Sequence, residues 1–349
     1  MTRDFFLNEG IQLEVHPYTL QFKHPAGTSR GVYTEHRIWF ITITDKRMVS
    51  YGTGEVAPFP NLSQELINHS EDEFEQIIWK FCNEFNGEIP YDKLRPYPSI
   101  LFGLETAIRN FEMGFEMWNS PFFWGKEGIT INGLVWMGTY EEMKTRFQEK
   151  IDAGFHCIKI KIGAIDFEKE FDLLSLIRKE YPADKITLRV DANGGFSSDD
   201  APMILQRLAT LDIHSIEQPI KAGQIDKMTE LCRSSPIPIA LDEELIGVNT
   251  LEEKKQLLET IRPQHIILKP SLHGGIYGCE EWIHIAQSLG IGYWITSALE
   301  SNIGLMAIAQ WAATLNIDVP QGLGTGGLYT NNIDRPLQVQ GEKLWLKGF

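Results

Sequence analysis

CIKIKIG at residues 157–163 is followed by DFEKEFDLLSLIRKEY at 166–181 and then by ITLRVDA at 186–192. The outer two stretches read as short strands. The middle one spaces its apolar residues by three and four, as a helix does, with Asp166 placed to cap it. From about residue 130 this strand–helix–strand unit recurs. The strand candidates are INGLVWM (131–137), CIKIKI (157–162), ITLRVDA (186–192), HSIEQP (214–219), PIALDE (238–243), HIILKP (265–270), YWITSA (293–298) and DVPQGL (318–323). Eight short strands, most followed by an amphipathic segment, predict a (β/α)7β TIM-like barrel over residues 126–325. A doubly wound sheet is the structural competitor, and the nearly constant repeat favours the barrel.

Upstream, residues 1–125 read as an α+β part. LEVHPYTLQF (13–22) and HRIWFITITD (36–45) alternate like strands, and HPAGTSRGVYTE (24–35) between them reads as a polar loop. Residues 63–85 read as one helix. Pro96 and Pro98 lead into SILFGLETAIRNFEMGF (99–115), a strongly apolar helix. Downstream no helix pattern follows the last strand. The tail, about 326–349, reads as loop and hairpin that returns to complete the N-terminal part.

The chain has 349 residues, suited to a barrel plus a smaller partner domain. Its net charge of −15 argues against a nucleic-acid partner, because phosphate binding needs clustered Lys and Arg. There is neither a signal-peptide pattern nor an apolar run long enough to span a membrane. The four cysteines lie far apart without a CxxC pair, the pattern of a reduced, cytoplasmic protein. An oligomer is possible, but nothing in the sequence indicates one.

Charge appears at the strand ends. Lys161, Asp191, Glu217, Asp242 and Lys269 close five successive strands, 25 to 30 residues apart, or about one βα unit each. This places them around one mouth of the barrel, where barrel enzymes keep their chemistry. Asp191, Glu217 and Asp242 side by side would repel unless neutralised. All-oxygen ligation suits a hard cation, Mg²⁺ with Mn²⁺ as a substitute. The competing reading, three unrelated strand-end carboxylates, is weakened by their consecutive placement between lysines. Lys159 and Lys161, two apart on a strand, share the inward face while Ile158, Ile160 and Ile162 point toward the helices. Burial and like-charge repulsion favour the neutral amine, the form that can take a proton. Arg189 and Asn193 share the face of Asp191. Arg189 is a candidate to position Lys161 or a substrate carboxylate, and Asn193 to bind substrate or hold a metal ligand, with support from behind the site as the alternative for each.

Together KIKIG, RVDANGG, IEQP, LDEE, ILKPS and SALESNIG resemble the enolase superfamily in its muconate-lactonising subgroup, and GTGEVAPFP (52–60) resembles part of that subgroup's capping domain. INGLVWMG, SALESNIGL and QGLGTGGLY are most similar to the o-succinylbenzoate synthase family within it. The resemblance implies Mg²⁺ on Asp191, Glu217 and Asp242, acid/base catalysis by Lys161, and charge stabilisation by Lys269. It implies dehydration of a small-molecule β-hydroxy carboxylate. It also implies that Ser297, Glu300 and Ser301 lie near or behind one end of the substrate. Thr28, Ser29 and Arg30 fall in the capping loop over the site.

Other signals carry less. Gly322, Gly324 and Gly327 spell GxGxxG, but no helix follows, which disfavours a dinucleotide site. There is no HExxH and no GxSxG. MWNSPFFWG (117–125) reads as inter-domain packing. The rival functions are an N-acylamino acid racemase or dipeptide epimerase using both lysines, a muconate cycloisomerase, and a catalytically silent carboxylate-binding barrel. The acidic DxD element usual at the last barrel strand of dipeptide epimerases is absent.

Overall fold

The computed structural model describes residues 10–28, 31–46, 50–163 and 166–347. The chain opens with an antiparallel sheet, β1 (Gln12–Thr28), β2 (Gly31–Thr44) and β3 (Tyr51–Val56), in that spatial order. β2 is central and covered on both faces. Trp39, Ile41 and Ile43 pack with Phe74, Ile78, Ile100 and Leu104 from the helices, whereas Ile38 and Phe40 pack with Ile303 and Tyr329. Two expectations change here. HPAGTSRGVYTE is largely strand: pairing resumes at Ala26↔Tyr33 after an irregularity, and Tyr33 and Ala26 cluster with Phe59. Cross-strand packing overrides the weak strand propensity of Gly and Pro there. Residues 63–85 form two helices, Gln64–Asn68 and Glu71–Glu84, because Ser70 and Glu73 build a capping box that restarts the helix.

The helix Pro98–Met113 lies against β3 so closely that only glycine fits. A Cβ on Gly54 would stand 1.9 Å from the Gly103 carbonyl oxygen.

After β4 (Ile129–Thr130), a seven-stranded parallel sheet runs in order β5 (Gly133–Val135), β6 (Cys157–Lys161), β7 (Thr187–Asp191), β8 (Ser215–Glu217), β9 (Ile239–Leu241), β10 (His265–Leu268) and β11 (Gly292–Ile295). Ring closure comes from residues 321–322, which bridge Ile131 on one side and Thr296 on the other. The eighth strand expected at 318–323 shrinks to these bridges, since Pro320, Gly322 and Gly324 interrupt a ladder. The architecture is thus a (β/α)7β barrel with an N-terminal antiparallel capping sheet. Ile158, Ile160, Val190 and Ile216 face outward into the main core beneath the helices. The C-terminal tail divides. Tyr329 bridges Phe22 of β1, while the hairpin β12 (Leu337–Gln340) and β13 (Lys343–Leu346) pairs with β4 and buries Leu344 and Leu346 in the barrel core. All four cysteines are free and buried. Among the described residues no helix is long and apolar enough to cross a membrane.

Candidate active site

Parallel register sets the site. Lys159 pairs with Arg189 and Lys161 with Asp191, and Asp191 is level with Glu217 on β8. These side chains therefore project inward in two layers. Lys159, Lys161, Asp191, Glu217 and Asp242 each expose 7% or less of their surface. The lysines pair with the acids. Lys159 Nζ donates to Glu217 Oε2 at 2.6 Å and lies 3.6 Å from Asp191 Oδ2. Lys161 Nζ donates to Asp191 Oδ2 at 3.0 Å and to Asn193 Oδ1 at 2.6 Å. Lys269 Nζ donates to Asp242 Oδ2 at 2.5 Å.

Burial opposes every charge in this cluster, and the partners decide each outcome. At Asp191, Lys161 and Lys159 outweigh burial and hold the carboxyl below its ordinary range. At Asp242, Lys269 does the same. Burial pushes Glu217 up to about 7, and the like charges of Asp191 and Asp242 add to this despite Lys159. Burial would lower Lys159 and Lys269. Glu217 and Asp191 raise Lys159 instead, and Asp242 and Glu243 raise Lys269. The lowered lysine pKa expected from like-charge repulsion therefore does not hold for Lys159 or Lys269, because each ammonium has a carboxylate in contact.

The donor set fits a hard divalent cation. Glu217 Oε1 and Asp242 Oδ1 are buried without a hydrogen-bond partner, a costly state for a carboxylate oxygen that coordination would relieve. Among the described residues no three acidic, histidine or cysteine groups already stand in a metal-holding cluster, since each acid is turned to an ammonium group.

The other candidates separate. Asn193, at φ 44°, accepts from Lys161 and donates to Glu243 Oε1 at 3.0 Å, and its backbone N–H donates to Asp191 Oδ1 at 3.0 Å. It holds Lys161 and a carboxylate together. Arg189 lies one layer deeper, over the Trp294 ring at 4.2 Å, and donates to the Pro320 carbonyl at 2.9 Å. It does not reach Lys161, because two residues of strand separate their levels. Ser297 shares a 2.7 Å hydrogen bond with Thr325 and faces the cavity. Glu300 turns away from it and accepts from Ser271 Oγ at 2.6 Å and Ala298 N at 2.7 Å. Ser301 caps the helix Asn302–Ala312. Ser29 and Arg30 lie outside the described residues, as does the side chain of Thr28.

A cavity of about 440 Å³ opens above the lysines, Asp191 and Asn193. Phe59 and Leu62 from the capping part, Leu134, Trp136 and Leu299 from the barrel, and Leu328 from the C-terminal tail form its apolar wall. The Trp136 ring centre stands 5.4 Å from Lys161 Nζ. Sequence reasoning gave no role to Phe59, Leu62 or Trp136. Trp136 had one signal, its place one step past a barrel strand. Phe59 had none beyond its flanking prolines.

A family model described as enolase C-terminal domain-like matches residues 142–344, and one described as MenC, N-terminal domain, matches 12–111. An o-succinylbenzoate synthase of Desulfotalea psychrophila is 42% identical, over 95% of this chain and 98% of its own. This chain belongs to the o-succinylbenzoate synthase family of the enolase superfamily. The crystal structure of MenC from Desulfotalea psychrophila superposes with a TM-score of 0.83 at 37% identity, covering 96% of this chain and 99% of that one. A substrate-liganded L-Ala-D/L-Glu epimerase from Bacillus subtilis shares the superfamily fold at a TM-score of 0.83 and 20% identity, covering 97% of this chain and 96% of that one. Fold likeness alone thus does not separate the o-succinylbenzoate synthases from epimerases, whereas sequence likeness over nearly the whole chain does.

Proposed function

We propose that this chain is a Mg²⁺-dependent dehydratase that converts 2-succinyl-6-hydroxy-2,4-cyclohexadiene-1-carboxylate to 2-succinylbenzoate, a step of menaquinone biosynthesis carried out in the cytoplasm. The observation that carries this reading is an apolar-walled cavity lined by two lysines from strands four places apart, beside three acids with two unserved oxygens. In this reading residues 1–125, joined by the tail around Tyr329, form the capping domain, and 126–325, joined by the hairpin β12–β13, form the catalytic barrel.

Asp191, Glu217 and Asp242 would hold the cation, with Mn²⁺ able to substitute. When bound, it supplies positive charge that draws in the substrate carboxylate and lowers the cost of a second negative charge on it. Lys161, steadied by Asn193, removes the proton beside the carboxylate, and the electron pair stays on the substrate. The same ammonium then protonates the departing hydroxyl, the C–O bond breaks, water leaves and the ring becomes aromatic. Lys269, across the barrel, stays charged and stabilises the planar anion. Phe59, Leu134, Trp136 and Leu299 hold the ring and exclude water.

The test is incubation with the cyclohexadiene substrate and Mg²⁺, followed by ultraviolet absorbance. No 2-succinylbenzoate would sink the proposal. The placement of Lys161 and Lys269 also suits a second reading, racemisation of N-acylamino acids or dipeptides. Solvent deuterium entering the α-position of such a compound, without dehydration of the cyclohexadiene, would favour it.

A further inference from the structure

Two parts of the cavity's apolar wall lie far apart in sequence, Phe59 of the capping part, preceded by Pro58, and Leu299 of the barrel. His36, on β2, stands between them and is fully buried. Its Nε2 faces the Pro58 carbonyl oxygen at 3.0 Å and its Nδ1 the Leu299 carbonyl oxygen at 3.1 Å. The ring also meets Phe59 edge-on, with centroids 4.9 Å apart. One imidazole thus touches both halves of the wall.

Leu299 needs holding. It adopts φ 66°, a left-handed conformation that a leucine keeps only when its surroundings over-determine it. The Tyr329 hydroxyl donates to its carbonyl at 2.6 Å, and its own N–H donates to Ser297 Oγ at 3.1 Å. The capping part grips the same segment further along, where Glu55 accepts from Ser301 N at 2.7 Å, Ser301 Oγ at 2.5 Å and Gly304 N at 2.8 Å. Burial pushes the His36 imidazole down to about 4, so at neutral pH it brings shape and one N–H rather than charge.

We infer that His36 is a positioning residue that clasps the capping domain to the barrel at the substrate wall. It sets Phe59 and Leu299 against the carbon skeleton of the substrate and so governs substrate binding rather than proton transfer. The inference rests on the dehydratase reading of this cavity.

The experiment uses full-length, Mg²⁺-loaded enzyme as wild type, His36→Ala, His36→Gln, Tyr329→Phe and the His36→Ala/Tyr329→Phe double variant. KM and kcat are measured on the cyclohexadiene substrate, and hydrogen–deuterium exchange is followed over residues 58–62 and 297–304. His36→Ala should raise KM about 10-fold or more and leave kcat within about threefold. Exchange should rise in both segments. His36→Gln, which can still serve one carbonyl, should recover part of the loss. Because His36 and Tyr329 share the Leu299 oxygen, their effects on KM should be non-additive. An unchanged KM with unchanged exchange, or a fall in kcat at constant KM, overturns the inference. Should His36→Ala fail to fold, His36→Gln and Tyr329→Phe decide it by the same readouts. A wild type that does not dehydrate the substrate refutes the proposed function instead, and the exchange measurement still decides whether His36 holds the loop.

Discussion

Lys161→Ala tests the chemistry most directly. The side chain is buried beside Asp191 and Asn193, and its Nζ lies 3.0 Å from Asp191 Oδ2. In the proposed mechanism it acts twice, as base and then as acid. A positioned acid or base contributes about 10²–10⁴-fold. Losing one group that serves both steps should lower kcat by about 10⁴-fold or more, or roughly 5.5 kcal/mol at about 1.36 kcal/mol per factor of ten. Cation binding should survive or tighten, because the variant removes the nearer of the two ammonium groups beside Asp191 while leaving Glu217 and Asp242 unchanged. The assays are dehydration followed by ultraviolet absorbance, and calorimetric titration with Mg²⁺ and with 2-succinylbenzoate. A kcat within about tenfold of wild type would refute the assignment of the base. Lost Mg²⁺ affinity would show that Lys161 shapes the acids rather than performing the proton transfer.

Other outcomes follow from the same geometry. Exhaustive chelation should remove activity and Mg²⁺ or Mn²⁺ restore it, and full activity in EDTA would exclude a catalytic cation. Glu65 is buried at the start of the helix Pro98–Met113, where it accepts from Ser99 N and Oγ, and burial pushes it up to about 8 from 4.5. A carboxyl raised on folding stabilises fully below about pH 4.5 and loses that contribution as pH climbs through about 8, on the order of 5 kcal/mol in all. Melting temperature should therefore fall on going from pH 6 to 9, and Glu65→Gln should flatten that slope. An equally steep slope in the variant would refute the attribution. Gly54→Ala drives a methyl into the Gly103 carbonyl and should cost at least about 2 kcal/mol, read as a lower denaturation midpoint. An unchanged midpoint would show that the helix shifts freely.

The site's composition was legible because strand ends are one-dimensional facts. Lys161, Asp191, Glu217, Asp242 and Lys269 recur once per βα unit, and a parallel barrel turns that period into a ring. Asn193, two residues past Asp191, could be placed on the same face by strand alternation. The same alternation could not say that Arg189 sits a layer too deep to reach Lys161, because depth along the barrel axis depends on register and on Trp294 and Pro320 packing above it. Nor could it end the helix at Ser70, where a local capping box competes with a continuous apolar pattern.

By itself, then, the sequence determined the βα repeat, the acids, the lysines and their order around the barrel, since these follow from periodicity and from which residue closes each strand. The tertiary structure alone decided the cavity wall and what holds it. Phe59, Leu299, His36, Glu55 and Tyr329 come from distant parts of the chain, and their contacts arise only when the capping sheet docks on the barrel mouth. It also decided which acid each lysine pairs with, since pairing among buried charges depends on distances of a few ångströms that residue spacing does not encode.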